Sequence, residues 1–274
     1  MQLGPRTQTL FADPKWRPPD RYPSDQCWAD ELERLLDFAA GHGQLNRYAS
    51  KLCSRERDSA IAELRVAHDL ADRGFQFDKF EPLGVHPKRG EFLVSVPSQT
   101  AGIFTEVKAP DWHAEVTGFG KAAADPMRLK AAKERFSKPK YRNGAGGAYL
   151  PGVGVEFAIE KAYEKLPDDR PTLVVVPSDY MFNSFQHSPD IIAHRRLLKS
   201  DGPFGSDKFE RIGGVGLFWY EYRDNQIKYD MEVISNPHAR PENVLPQAAQ
   251  NMLRQRLPKR EVISLWNLYQ GSLR

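Results

Sequence analysis

The sequence predicts an α/β fold: a mixed β-sheet flanked by helices, with an N-terminal helical arm and a C-terminal extension of β-hairpin and helix. Three observations carry this. Helical periodicity dominates roughly residues 24–40 and 54–72; short β-type segments bounded by turn residues follow at 75–80, 91–96 and 102–108; a continuous apolar run and a hairpin pattern come later. At 274 residues and 40% hydrophobic content, the chain can bury one large core, expected over residues 24–240.

Taken in order, residues 1–23 carry Pro5, Pro14, Pro18, Pro19 and Pro23 with little periodicity, and an irregular proline-rich arm is expected there. Ser24-Asp25 caps a helix running through Trp28, Leu32, Leu35 and Leu36 to about Ala40, stopped by Gly41 and Gly43. A longer helix runs from about Ser54 to Asp72 and ends at Gly74. Its stripe of Ala60, Ala67, Leu70 and Ala71 places Glu63 about 40° from Ala67 around the axis, on the buried side.

Strands are expected at Phe75 to Phe80, Glu91 to Val96 and Gly102 to Lys108, with turns at 87–90 and 97–100. A helix is expected from Val155 through Phe157, Ala158, Ala162 and Leu166, then a buried strand over Thr172 to Val176. A further helix spans Pro189 to Lys199. Residues 213–222 and 227–234 form a hairpin turning at Asp224-Asn225, with Phe218, Trp219 and Tyr220 as strand core. The tail, 241–274, reads as helical and basic, with Arg254, Arg256, Lys259 and Arg260 clustered.

The segment Gly-Ile-Phe-Thr-Glu-Val-Lys-Ala-Pro (102–110) holds the chemistry. Strand side chains alternate, so Glu106 and Lys108 share one face while Ile103, Thr105 and Val107 take the other. Charge on an otherwise apolar strand costs several kcal/mol unless it is paired, and a metal ion held by the carboxylate is one way to pair it. Glu91 opens the preceding strand and supplies a second carboxylate. Two carboxylates can hold Mg²⁺, with Mn²⁺ as a substitute, while Lys108 orients or deprotonates an attacking water or stabilises a phosphorane.

This order of helix with Glu63, strand, strand opening with Glu91, turn, and strand with Glu106 and Lys108 resembles the core of the PD-(D/E)XK nuclease superfamily. The resemblance covers roughly residues 55–177. It implies a restriction-endonuclease-like sheet, and a metal-dependent phosphodiesterase acting on nucleic acid, DNA first. Glu91 and Glu106 are then the metal ligands, Lys108 the catalytic lysine and Glu63 the assisting helix glutamate. Gly90-Glu91-Phe92 stands where the family most often has Pro-Asp-Phe. That departure motivates the alternative of an inactive nuclease-like scaffold that binds nucleic acid or a protein partner.

A formal net charge of +3 says little about polyanions, but residues 121–142 hold eight bases against two acids. Lys121, Arg128, Lys130, Lys133, Arg135, Lys138 and Lys140 are the expected phosphate contacts, with Phe136 and Tyr141 available for stacking. The glycines at 144–154 form no phosphate loop, since no Gly-Lys-Ser/Thr closes them. The histidines are scattered without ligand spacing, and two cysteines make no disulfide framework. With no apolar run long enough to span a bilayer and no leader pattern, a cytoplasmic chain without membrane partners is expected. Enzymes that cut both strands often pair two active sites, which makes a homodimer a possible arrangement.

Overall fold

The computed structural model describes residues 2–16, 26–109, 155–177 and 197–256, apart from positions 86, 98, 100, 157, 199, 201, 224–225 and 255. Helices α1 (Pro5–Ala12), α2 (Gln26–Gly41), α3 (Leu45–Leu52) and α4 (Arg57–Asp72) precede strands β1 (Gln76–Phe80), β2 (Phe92–Ser95) and β3 (Ile103–Val107). Helix α5 follows at 155–163, then β4 (Thr172–Pro177), β5 (Gly214–Arg223), β6 (Gln226–Ser235) and α6 (Gln247–Met252). The six strands lie in sequence order in one mixed sheet. The β1–β2, β2–β3 and β5–β6 pairs are antiparallel, whereas β3–β4 and β4–β5 are parallel.

Apolar side chains fill both faces. On one side Ile103, Val107, Leu173, Val175, Phe218 and Tyr220 pack with Leu32, Leu35, Leu64 and Leu70 of α2 and α4. On the other, Phe104, Val174, Val176, Leu217 and Trp219 meet Ala158, Ile159 and Ala162 of α5. This two-sided burial explains the unbroken apolar run in β4, which crosses the middle of the sheet. The expected core of Phe218, Trp219 and Tyr220 is buried, and Glu63 lies on the inner side of α4 as its position around the helix required.

Two expectations for the N-terminal part of the chain need correction. The arm is not irregular throughout, because α1 forms with Pro5 in its first turn, where a missing N–H costs nothing. The amides of Arg6 and Thr7 donate to the Glu33 carboxylate on α2, and Phe11 and Trp16 stack with Trp28. Helix α3 was not expected between Gly43 and Ser54, although Leu45, Tyr48 and Leu52 sit at helical spacing and all pack into the core. Gly43 and Gly74 both adopt positive φ at the turns after α2 and α4, the conformation for which glycine has no steric penalty.

An ion network with a buried centre at Asp69, Arg73 and Asp230 ties the C-terminal segment to the core. Arg73, one residue past α4, bridges Asp69 and Asp230, each at 2.7 Å, and also donates to the carbonyls of Met252 and Arg254. Arg256 pairs with Asp69, and its amide donates to Asp230. Arg256 therefore serves an internal network rather than the free basic cluster expected of the tail. Among the described residues, helix in the tail is limited to α6 and one short turn at Pro241–Asn243. The helix expected at Pro189 to Lys199, apart from Leu197 and Leu198, and the Asp224-Asn225 turn lie outside the described residues.

Candidate active site at the end of the sheet

Strand register aligns the acids. Phe92 pairs with Thr105 across β2 and β3, so one residue further along the antiparallel pair Glu91 lies beside Glu106. Phe80 pairs with Phe92 across β1 and β2, so the same step brings Glu81 beside Glu91. Backbone bonds confirm both steps: the Glu91 amide donates to Thr105 and the Glu81 amide to Glu91. Three glutamates thus form a row across one end of the sheet. Like charges directly opposite one another on neighbouring strands are destabilising, so cations between them are required.

The cations alternate with the acids. Arg47, from α3, lies 3.2 Å from Glu81 and 3.3 Å from Glu91. Lys165, in the turn after α5, places Nζ 2.7 Å from Oε1 of Glu106 and 3.8 Å from Oε1 of Glu91. Lys108 also pairs with Oε1 of Glu106, as the shared strand face requires. Glu106 has no solvent exposure, and its Oε2 has no hydrogen-bond partner among the described residues. Burial pushes the Glu106 carboxyl above its usual range, Lys108 and Lys165 oppose that shift, and Glu91 adds to it. Burial by itself lowers the Lys165 pKa, but attraction to Glu106 and then Glu91 holds the ammonium above its usual value.

Glu63 occupies a neighbouring position rather than the row itself. Its carboxylate accepts from Lys51 Nζ at 2.9 and 3.1 Å, and Arg47 stands 3.8 Å away. Burial, followed by the negative charge of Glu91, pushes its pKa up to about 7 against the pull of Lys51. The buried Tyr48 hydroxyl has its ionisation driven upward by burial and then by Glu63. Glu81 has φ of 52°, a left-handed conformation that is uncommon for a residue with a side chain and costs about 1 kcal/mol or more. Its carbonyl accepts from Arg89, and Arg47 holds its carboxylate.

Glu91, Glu106 and Lys108 are therefore brought together, with Glu63 alongside through its electrostatic coupling to Glu91. The sequence reading missed Arg47, Lys51, Glu81 and Lys165. The first two lie four residues apart on α3, a helix that was not expected; Lys165 carried no distinguishing signal in the charged run Glu160, Lys161, Glu164 and Lys165. The expected phosphate contacts Lys121, Arg128, Lys130, Lys133, Arg135, Lys138 and Lys140 lie outside the described residues.

A divalent ion is compatible with this donor set. Among the described residues no group of three or more His, Cys, Asp or Glu is gathered to hold a metal. Mg²⁺, however, commonly keeps most of its water and takes only one or two carboxylates. The buried Glu106 oxygen, without a hydrogen-bond partner among the described residues and beside Glu91, offers that minimum. Among the described residues, no helix is long and apolar enough to cross a membrane. In comparisons with protein-family models, curated proteins and solved structures, the chain matches none.

Proposed function

We propose that the chain is a metal-dependent nuclease with a restriction-endonuclease-like core, hydrolysing phosphodiester bonds in DNA. The observation that carries this reading is the register of β2 and β3, which puts Glu91 beside Glu106 with Lys108 paired to the same buried carboxylate. The order α4, β1, β2, β3, α5, β4, with the β3–β4 pair parallel, supports the same reading.

Glu91 and Glu106 are the metal ligands in this reading. A bound divalent ion stabilises the negative charge that builds on the phosphate during hydrolysis. Lys108 extends from the end of β3 and retains partial access to solvent, so its ammonium can meet a phosphate oxygen or orient the attacking water. Glu63 and Lys51 form the adjoining wall, where Glu63 positions Lys51. The basic segment at 121–142 supplies the phosphate contacts that hold the strand.

The test is cleavage of supercoiled, linear and single-stranded DNA, and of RNA, with Mg²⁺, Mn²⁺ or EDTA, alongside a Glu106→Ala variant. Metal-dependent cutting that disappears in the variant supports the reading. A folded chain that retards DNA in a gel yet cuts no substrate in either metal sinks it in favour of a binding scaffold.

A further inference from the structure

Lys165 lies in the turn just past α5, outside the helix itself. Its backbone is nonetheless tightly held: its amide donates to Ala162, its carbonyl accepts from Val85, and a Cβ on Gly84 would stand 1.9 Å from that carbonyl oxygen. Its side chain runs to the two carboxylates already assigned to a metal. Lysine is a flexible stem ending in a compact charge, so it can fill a cation position and leave it by rotation about its own bonds.

We propose that Lys165 is the resident cation of this site: its ammonium holds the place between Glu91 and Glu106, and a divalent ion binds by displacing it. The inference rests on the metal-dependent reading above. Two like charges in adjacent strand positions, one with no solvent exposure, need a cation between them whether or not metal is present. Lys108 cannot serve both acids on the contacts it makes, since its ion pair is with Glu106 alone among the described residues. Lys165 reaches both. Once displaced, its ammonium remains tethered beside the site and becomes available to a phosphate.

The experiment is calorimetric titration of Mn²⁺, without nucleic acid, into the full chain and into Lys165→Met, Lys165→Gln, Lys165→Arg and Glu106→Gln variants at mildly alkaline pH. Removing a competing charge should tighten Mn²⁺ binding by about tenfold or more in Lys165→Met and Lys165→Gln, the scale of one screened ion pair. Lys165→Arg, which keeps the charge, should bind no more tightly than the native chain. Melting curves with and without Mn²⁺ give a second readout: the metal should raise the midpoint more in the two neutral variants. If the native chain binds Mn²⁺ through Glu106 but neither neutral variant binds more tightly, the proposal fails and the metal-dependent reading stands. If no variant binds Mn²⁺, both fall together.

Discussion

Lys165 Nζ lies 2.7 Å from Glu106 Oε1, joining residues 59 positions apart in the chain at the end of β3. Without such a pairing the fully buried Glu106 would either be protonated or open the site to water, because an isolated buried carboxylate costs several kcal/mol. The same carboxylate oxygen also receives Lys108. Two lysines on one buried glutamate are more than charge balance at that residue requires, and the adjoining Glu91 accounts for the second.

Lys108 is expected to act in the chemical step. Lys108→Met should lower kcat for metal-dependent DNA cleavage by at least about 100-fold, the usual contribution of a positioned proton-transfer group. Lys108→Arg should recover little, because a planar forked guanidinium does not reproduce the compact ammonium paired to Glu106. Single-turnover cleavage at saturating chain concentration separates this from weakened binding.

Glu63 makes stability fall as pH rises towards neutrality. Its pKa is pushed up to about 7 in the folded chain against 4.5 for the unperturbed group, so the folded state retains a proton that the unfolded state has lost. Stability from this group is present in full below the unfolded value and is lost as pH climbs from there to about 7, by up to a few kcal/mol. Glu63→Gln should flatten that part of the pH profile and raise the urea midpoint at neutral pH. A profile unchanged by the substitution would show that Lys51 keeps Glu63 ionised.

Arg73→Leu should destabilise the chain by about 3–5 kcal/mol, since it leaves Asp69 and Asp230 buried without their shared partner. It also removes bonds to the carbonyl of Met252, at the end of α6, and to that of Arg254 just beyond it. Limited proteolysis should therefore show earlier cleavage near residues 252–256, and urea unfolding should give the magnitude.

Gly84→Ala tests the anchoring of Lys165 from a distance. The added methyl would meet the Lys165 carbonyl at 1.9 Å and the Phe104 ring at 3.0 Å, so the turn has to shift. Overpacking of this kind costs about 1–3 kcal/mol. Stability measured by urea should fall by that amount, and exchange of the Val85 amide, which donates to Lys165, should accelerate.

Much of the α/β arrangement was legible because periodicity is a local property: α2, α4, the three short strands, β4 and the closing hairpin all stand where the pattern of apolar residues put them. The sharing of a face by Glu106 and Lys108 followed from alternation alone, and the inward position of Glu63 from the helical turn. What local pattern did not convey was α3, whose few apolar positions lie between two glycine-rich or polar stretches, and α1, whose helix depends on an acceptor supplied by Glu33 from another element.

The amino-acid sequence by itself determined which side chains carry charge into the sheet and which way each faces, because both follow from spacing along one strand or helix. Only the tertiary structure decided their partners. The alignment of Glu81, Glu91 and Glu106 depends on strand register, and the bridging by Arg47 and Lys165 depends on how α3 and the turn after α5 pack against the sheet. The physical reason is that ion pairs form across space between distant segments, where attraction depends on separation and burial, and neither is encoded in any single stretch of chain.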